Sequence, residues 1–325
     1  MTANMKRIPT RIGIFGASGH IGGPMASWLR YSAPRVKLRL ITSDVGKAQR
    51  LRAKFPDCEV AIGDYFDLPS LTDAVAGMEG LFVVTTTCTP EEAAMTNLIA
   101  AIRRSNTLVH LIRVVGEIPC ANLRRVPQAI VRFGRGLELQ HPIARRLLDE
   151  SDLPVTYFNI GASFMDNLLR PAIFSLGNRK IVWPSPRVPY IDPREIGEAA
   201  ARILLSDNRR HLYQFHTLNN GSDNLHTSEI VTMMSDVLQC RIEYDSSKAS
   251  FLAAMESAVK RGFAPAELPD YLWDYFLYEE ENDVAWALND FLERTLGRKP
   301  NTLRAWLQEH RQALLGNLGL PCADP

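Results

Sequence analysis

The chain has 325 residues, of which 46% are hydrophobic and 22% charged, the composition of an ordinary globular protein. That length allows one large or two smaller domains with a sizeable buried core. The formal net charge of +1 lacks the basic excess of nucleic-acid-binding proteins, so we expect no nucleic acid among the partners. Because the sequence contains neither an apolar run of about 18 residues nor the apolar core of a secretory signal, we also expect no membrane contact.

The cysteine content indicates a reducing compartment. Five cysteines are scattered without C-x-x-C spacing, at Cys58, Cys88, Cys120, Cys240 and Cys322. An odd and sparse set of this kind favours free thiols over a disulfide framework. The histidines form no H-E-x-x-H motif, so no metal site is predicted. We therefore place the protein in the cytoplasm.

Short apolar runs alternate with helical patterns in the first half of the chain. The predicted strands lie at 11–15, 37–42, 59–62, 80–85, 108–114 and 155–159. The predicted helices between them lie at 22–31, 46–54, 69–76, 89–105 and 142–151. This alternation predicts an α/β fold with a doubly wound parallel sheet of the Rossmann type. Ligands bind beyond the carboxyl ends of such strands, so the loops that follow the strands should line one crevice.

The loop after the first predicted strand carries three evenly spaced glycines, Gly16, Gly19 and Gly22. Glycines at a strand-to-helix turn permit a tight turn, a close approach of the backbone to a pyrophosphate, and close packing of helix on strand. The N–H groups at the start of the following helix would then bind the phosphates. The spacing G-x-x-G-x-x-G departs from G-x-G-x-x-G, and a purely structural turn is the alternative. We interpret the loop as a dinucleotide-binding site.

The second half of the chain has a different pattern. A proline-rich stretch at 184–193 precedes predicted helices at 194–205, 227–238, 249–261, 268–280 and 302–315, with a strand at 241–244. We predict a nucleotide-binding domain over 1–163 and a smaller, mainly helical substrate-binding lobe over 164–325. Residues 188–206 are expected to return to the first domain.

Five stretches together carry a family resemblance. They are the loop Gly16-Ala17-Ser18-Gly19-His20-Ile21-Gly22, the pair Gly63-Asp64, residues 152–167, residues 191–200 and residues 296–307. They resemble the NmrA-like branch of the atypical short-chain dehydrogenases/reductases, which includes isoflavone-reductase-like and quinone-reductase-like proteins. The resemblance covers nearly the whole chain. It implies a Rossmann domain that binds NAD(P), but it does not specify a reaction.

The resemblance also shows where the usual catalytic set is missing. Short-chain dehydrogenases generally use Ser, Tyr and Lys, and Val115, Leu137 and His141 stand at the matching positions. His141 is therefore the candidate catalytic residue, since an imidazole can donate a proton near neutral pH. The alternative is that His141 begins a helix beside Pro142 and forms only local hydrogen bonds.

The residues expected to contact the cofactor follow the predicted strands in order. Asp44 suits an NAD ribose, whereas Lys47 can reach the 2′-phosphate of NADP, and Ser43 replaces the Arg of many relatives. The cofactor is therefore NADP(H) or NAD(H). The full predicted set is Gly16, Ala17, Ser18, Gly19, His20, Ile21, Gly22, Ser43, Asp44, Lys47, Asp64, Tyr65, Thr85, Thr86 and Thr87.

The substrate pocket is predicted from residues near the expected nicotinamide position: Cys88, Val115, Gly161, Phe164, Met165 and Trp183. Cys88 is either a reactive thiolate or a small buried side chain. Further apolar residues suit a lid over the pocket, although for each of them core packing between helices is the favoured alternative: Leu168, Phe174, Tyr190, Trp273, Tyr275 and Phe276.

Three functions are compatible with these residues. The first is an NAD(P)H-dependent oxidoreductase that reduces a hydrophobic, aromatic carbonyl, enone or quinone-type small molecule without the Ser-Tyr-Lys set. The second is a dinucleotide-sensing regulator that binds a protein partner without turnover. The third is a non-redox isomerase or lyase that retains its cofactor. The sequence leaves the oligomeric state open, a homodimer included.

Overall fold

The computed structural model describes residues 5–118, 126–170, 179–260, 266–281 and 286–319. Strands and helices alternate through its first half. In chain order they are β1 (Arg11–Phe15), α1 (Gly22–Ser32), β2 (Lys37–Thr42), α2 (Val45–Lys54), β3 (Glu59–Ile62), α3 (Leu68–Val75), β4 (Gly80–Val83), α4 (Glu91–Ser105), β5 (His110–Val115), α5 (Gln128–Phe133), α6 (Leu137–Asp149) and β6 (Val155–Ile160).

Shorter strands and more helices follow. They are β7 (Ser163–Phe164), a 3₁₀ helix (Met165–Leu169), β8 (Lys180–Val182), β9 (Val188–Ile191), α7 (Pro193–Leu205), β10 (Phe215–Leu218), β11 (Asn224–Leu225), α8 (Thr227–Leu238), β12 (Glu243–Asp245), α9 (Lys248–Lys260), α10 (Leu268–Glu281), α11 (Phe291–Leu296), α12 (Leu303–Glu309) and α13 (Arg311–Asn317).

The central sheet has seven parallel strands in the order β10-β6-β5-β4-β1-β2-β3. In β1, Ile12 lies between Leu38 of β2 and Gly80 of β4. The strand order reverses direction between β1 and β4, which is where doubly wound folds bind ligands. The predicted Rossmann-type sheet is confirmed.

Apolar layers cover both faces of this sheet. Ile12 and Ile14 of β1 point into one layer, which also contains residues of α1 and α7. Phe15 points into the other layer, which is formed with α3, α4 and α6. Successive side chains of a strand point to opposite faces, so a strand that is apolar at every position requires helices on both sides. A third apolar cluster lies in the C-terminal part, around Trp306.

Two C-terminal elements pack on the central sheet. Strand β10 pairs in parallel with β6. Helix α7 lies so close to α1 that a Cβ on Gly197 would stand 2.6 Å from the carbonyl oxygen of Ile21. The division of the chain near residue 163 stays a prediction.

Several predicted boundaries differ from those observed. Helix α6 begins at Leu137, five residues before the predicted start, and includes Pro142. Two helices, separated at His310, replace the single helix predicted over 302–315. Strand β10 was not predicted, because four residues without a long apolar run give no clear signal. Among the predicted lid residues, Phe174 lies outside the described residues, as do Cys120 and Cys322 among the cysteines.

Candidate functional site

The glycine loop has a backbone conformation that depends on its glycines. Gly16 has φ +67°, and a Cβ there would stand 2.7 Å from Val84 Cγ1. The N–H of Gly19 donates to the carbonyl of Gly16 at 2.9 Å, which closes the turn. A Cβ on Gly22 would stand 2.6 Å from that same carbonyl oxygen. Side chains are therefore excluded from both ends of the loop.

Helix α1 begins directly after this loop. Its N-cap, Ile21, provides no side-chain hydrogen bond, and its first turn contains no acidic residue. Ala17 and Ile21 are buried in the core beneath the loop. The positive end of the helix dipole thus faces the loop without a competing carboxylate on the same helix, an arrangement that suits an anion.

Some of the residues after β2 and β3 that are predicted to contact the cofactor also stabilise the local structure. Asp44 caps α2, because its Oδ1 accepts a hydrogen bond of 2.6 Å from the N–H of Lys47. Ser43 and Lys47 are exposed beside it. Tyr65 stacks on Phe15 with ring centroids 5.0 Å apart and donates its hydroxyl to the carbonyl of Val84 at 3.1 Å. Burial raises the pKa of Tyr65, which keeps it a neutral phenol.

A buried ion pair lies where β4 and β5 end. Arg113 of β5 is fully buried, and its Nη2 lies 2.6 Å from Oε1 of Glu91, the first residue of α4. Thr85 joins the pair, since its hydroxyl donates to Glu91 and accepts from Arg113 Nη2 at 2.8 Å. Neither Glu91 nor its contact with Arg113 was anticipated from the sequence, which offers no pattern that joins two residues on separate elements.

His141 lies beside this ion pair. The N–H of Gly116, just after β5, donates to His141 Nδ1 at 2.6 Å, so the remaining ring proton is on Nε2. Nε2 lies 4.0 Å from Glu91 Oε1. Burial and the positive charge of Arg113 lower the pKa of His141 to about 3, so the ring is neutral at pH 7. The hydrogen bond to Gly116 is not local, and His141 lies inside α6 and not at its start.

The loop after β4 carries three more residues that are predicted to contact the cofactor or the substrate, Thr86, Thr87 and Cys88. The hydroxyls of Thr86 and Thr89 lie 3.1 Å apart, and Thr87 is exposed. Cys88 has a left-handed φ of 72°. Burial raises the pKa of its thiol, which favours the protonated form over a reactive thiolate.

A small apolar cavity lies behind the glycine loop, in the C-terminal part of the chain. Its volume is about 70 Å³. Among the predicted pocket residues, Phe164 and Trp183 line it, whereas Met165 and Val115 are buried in separate apolar layers. The lining residues are Ser163, Phe164, Asn167, Leu168, Ile181, Trp183, Tyr190, Thr227 and Ile230.

Helix α10 and Trp286 pack over residues that line the crevice. Trp286 lies over Gly161, where a Cβ would collide with the indole Cε3. The hydroxyl of Tyr271 on α10 donates to Glu138 Oε1 on α6 at 2.7 Å. Burial raises the pKa of Glu138. These contacts connect residues 125 or more positions apart, and no local sequence pattern indicates them.

Glu279 on α10 provides a second buried carboxyl near the crevice. Its Oε1 accepts a hydrogen bond of 2.7 Å from the hydroxyl of Tyr275. Burial raises the pKa of Glu279 to about 7, while hydrogen bonds from Tyr275 and Trp286 oppose the shift. A carboxyl that titrates near neutral pH therefore contacts the tryptophan that covers Gly161.

The family is decided by comparison with known proteins. A model of the NmrA-like family matches residues 9–269 of the chain. This chain belongs to the NmrA-like family. Among the described residues of this family member, no group of His, Cys, Asp and Glu side chains is placed to hold a metal ion. No helix in the same part of the chain is long and apolar enough to cross a membrane.

Similar proteins include reductases. A (4-alkanoyl-5-oxo-2,5-dihydrofuran-3-yl)methyl phosphate reductase from Streptomyces griseus is 24% identical over 305 residues, 92% of this chain and 98% of the relative. An NADPH-dependent quinone oxidoreductase from Escherichia coli, solved with NADPH, is 21% identical with a TM-score of 0.73, covering 92% of this chain and 99% of the other. The Citrobacter triphenylmethane reductase, solved with NADP(H), is 18% identical with a TM-score of 0.71, covering 93% and 99%.

Proposed function

We propose that this protein is an NAD(P)H-dependent oxidoreductase that reduces a hydrophobic carbonyl, enone or quinone-type small molecule. The observation that carries the proposal is the glycine loop, which lies at the carboxyl end of the sheet beside the end of β4. Its position is the one at which doubly wound folds bind dinucleotides. Membership in a family with NAD(P)-dependent reductases among its structural neighbours supports it.

The loop fits the pyrophosphate of such a cofactor. Gly16 and Gly22 permit a tight turn that a Cβ at either position would disturb, and the start of α1 has no side-chain cap. Ser43, Asp44 and Lys47 lie at the end of β2, where the adenine ribose would be held. Both NADP(H) and NAD(H) suit this set, and the bound cofactor supplies a hydride to the substrate.

The substrate side is apolar and covered. The cavity lined by Phe164 and Trp183 accepts part of a hydrophobic molecule, and Trp286 with α10 limits access of water from above Gly161. The names of the relatives, a quinone oxidoreductase and a reductase of an unsaturated lactone phosphate, fit conjugated carbonyl substrates.

His141 is proposed as the residue that binds the substrate oxygen. Because its Nδ1 accepts from Gly116 and its ring is neutral, His141 would act through its Nε2–H as a hydrogen-bond donor. A neutral imidazole of this kind polarises a carbonyl in other enzymes. The proton itself then comes from water or from another group.

The test is to mix the purified protein with NADPH or NADH and a panel of quinones and aromatic enones, and to follow loss of the reduced-nicotinamide absorbance. We expect substrate-dependent oxidation. Dinucleotide binding without turnover of any compound would contradict the reductase proposal. It would favour a dinucleotide-sensing regulator, a function compatible with Val115, Leu137 and His141 in place of the catalytic Ser, Tyr and Lys.

A variant tests the role of His141. His141→Ala should lower kcat/KM at least tenfold, since a lost hydrogen bond to a developing charge costs about that much. Arg146→Ala is the matched control, because Arg146 lies on the same helix in an exposed pair with Glu150. Equal rates for the His141 variant and the control would remove His141 from the site.

A further inference from the structure

One residue of the glycine loop reaches into the C-terminal part of the chain. His20 Nδ1 lies 2.7 Å from Asp166 Oδ2, across 146 positions of sequence. Asp166 belongs to the 3₁₀ helix that follows β7. The two side chains are 32% and 24% exposed, so the contact is largely sheltered from water. This contact joins the loop expected to hold the cofactor to the segment that forms the cavity.

The chemistry of the pair leaves one atom without a partner. A carboxylate only accepts hydrogen bonds, so His20 donates from Nδ1 to Asp166 Oδ2. The other carboxylate oxygen, Asp166 Oδ1, is buried and has no hydrogen-bond partner among the described residues. A buried acceptor without a donor is costly, and native sites that contain one commonly complete it with a bound group.

The surroundings of Asp166 indicate which kind of ligand could supply the missing hydrogen-bond donor. The ring of Phe164 meets the ring of His20 edge-on, with centroids 4.8 Å apart. Phe164 also lines the apolar cavity, together with Ser163, Asn167 and Leu168 from the same segment. Asp166 is therefore next to both the glycine loop and the cavity wall. A ligand that extends from one to the other would pass close to Asp166.

We propose that Asp166 is a ligand-binding residue whose Oδ1 accepts a hydrogen bond from an O–H or N–H donor of the bound ligand. His20 is the positioning residue that holds the carboxylate. The inference rests on the proposed function, because it requires a dinucleotide on the glycine loop. The donor is a ribose hydroxyl or carboxamide N–H of the cofactor, or a hydroxyl of the substrate.

The experiment measures NADPH dissociation constants by fluorescence titration, independently of turnover. Asp166→Ala should weaken NADPH binding about tenfold if the donor belongs to the cofactor, the effect of one lost hydrogen bond to a carboxylate. If the donor belongs to the substrate, NADPH affinity is unchanged and the KM for the quinone rises by about the same factor. Either result supports the proposal, and no change in both quantities overturns it.

The role of His20 is tested by a double-mutant cycle. His20→Ala should reproduce most of the Asp166→Ala effect, and the double variant should be no worse than Asp166→Ala alone. His20→Asn should restore binding, because its amide N–H can replace Nδ1–H as the donor. Additive effects of the two alanine substitutions would overturn the positioning role.

Two controls separate this inference from other causes. Asp236→Ala removes an exposed ion pair with Arg304, so it should leave NADPH affinity unchanged, and the thermal midpoint of every variant shows whether it is folded. If the unaltered protein binds neither NADPH nor NADH, the proposed function fails and this inference with it. If the unaltered protein binds and the Asp166 variant is indistinguishable from it in both quantities, only this inference fails.

Discussion

On one side of the crevice the glycine loop presents backbone N–H groups, whereas on the other side the buried pair of Arg113 and Glu91 lies beneath the ends of β4 and β5. The loop is a continuous stretch of seven residues, Gly16 to Gly22, and a hydrogen bond from the N–H of Gly19 to the carbonyl of Gly16 closes it. The ion pair joins residues 22 positions apart on a strand and a helix. The binding side is thus specified locally, and the side that carries His141 depends on packing.

Burial and a charged neighbour set the protonation state of His141. His141 is neutral partly because Arg113 is fully buried beside it. Glu91 Oε2 and two nitrogens of Arg113 have no partner in the described part of the chain. Arg113 and Glu91 thus keep two charges out of water beside His141, so substitutions of this pair should cost more stability than substitutions in the glycine loop.

The largest expected effect comes from breaking the ion pair. Arg113→Leu leaves the carboxylate of Glu91 buried and uncompensated, so the free energy of unfolding should fall by about 3–5 kcal/mol in urea denaturation. Adding Glu91→Leu should recover part of this loss, because the pair is then replaced by apolar side chains. Arg146→Ala, which removes an exposed pair, should change the free energy by less than about 1 kcal/mol. A similar loss from both arginine substitutions would show that the buried pair has no special cost.

A substitution in the glycine loop should weaken cofactor binding more than it lowers the free energy of unfolding. Gly22→Ala places a Cβ 2.6 Å from the carbonyl oxygen of Gly16, so the loop must shift and NADPH should bind at least about tenfold more weakly in a fluorescence titration. Gly316→Ala is the matched control, because nothing lies within 4 Å of a Cβ there. Its position in α13 predicts a gain in stability of about 0.5–1 kcal/mol with unchanged binding. Unchanged NADPH affinity in the Gly22 variant would contradict the proposed docking of the pyrophosphate.

The buried histidines predict a loss of stability in acid. Burial lowers the pKa of both His110 and His141 to about 3, with positive neighbours adding to the shift. The unfolded chain, with histidine pKa values of about 6.5, therefore takes up protons first as the pH falls. The stabilising effect is complete above pH 6.5 and is lost as the pH falls toward 3. Urea denaturation between about pH 7.5 and pH 4.5 measures this, and His110→Gln should flatten the dependence.

The titration of Glu279 should change stability with pH in the opposite direction. Burial raises the pKa of its carboxyl from 4.5 to about 7, so the folded state holds a proton that the unfolded chain has lost. The contribution to stability is present below pH 4.5 and is lost as the pH rises through 7. Glu279→Gln should remove this part of the pH dependence while retaining a hydrogen-bonding side chain. A variant whose stability falls between pH 4.5 and pH 7 as steeply as that of the unaltered protein would rule out Glu279 as the titrating group.

The smallest effect is expected at the edge of the cofactor site. Ser43 is exposed at the end of β2, and Ser43→Arg should tighten NADPH binding by roughly threefold to tenfold relative to NADH, through a contact with the 2′-phosphate. Titrations with both cofactors measure the ratio. Unchanged NADPH affinity would show that this position does not contact the 2′-phosphate.

The sequence by itself determined the sheet and the glycine loop. The six strands predicted in the first half of the chain were found, because parallel strands covered on both faces are continuous apolar runs. Gly16 and Gly22 were recognisable for a similar reason, since their spacing is a pattern within seven residues, although the contact of Gly16 with Val84 depends on the packing of β4. The predicted helix is shorter than α6 because it starts at Pro142. In the structure the proline lies inside the helix.

Tertiary structure alone decided what surrounds the loop. Strand β10, the partners Glu91 and Arg113, the contact of His20 with Asp166, and Trp286 over Gly161 all join residues that are distant in sequence. Charge, burial and hydrogen-bond partners depend on which elements pack together, and a single sequence contains no local pattern for them. His141 shows the distinction: its position followed from the chain, but its neutral state depends on burial, on Arg113 and on the N–H of Gly116.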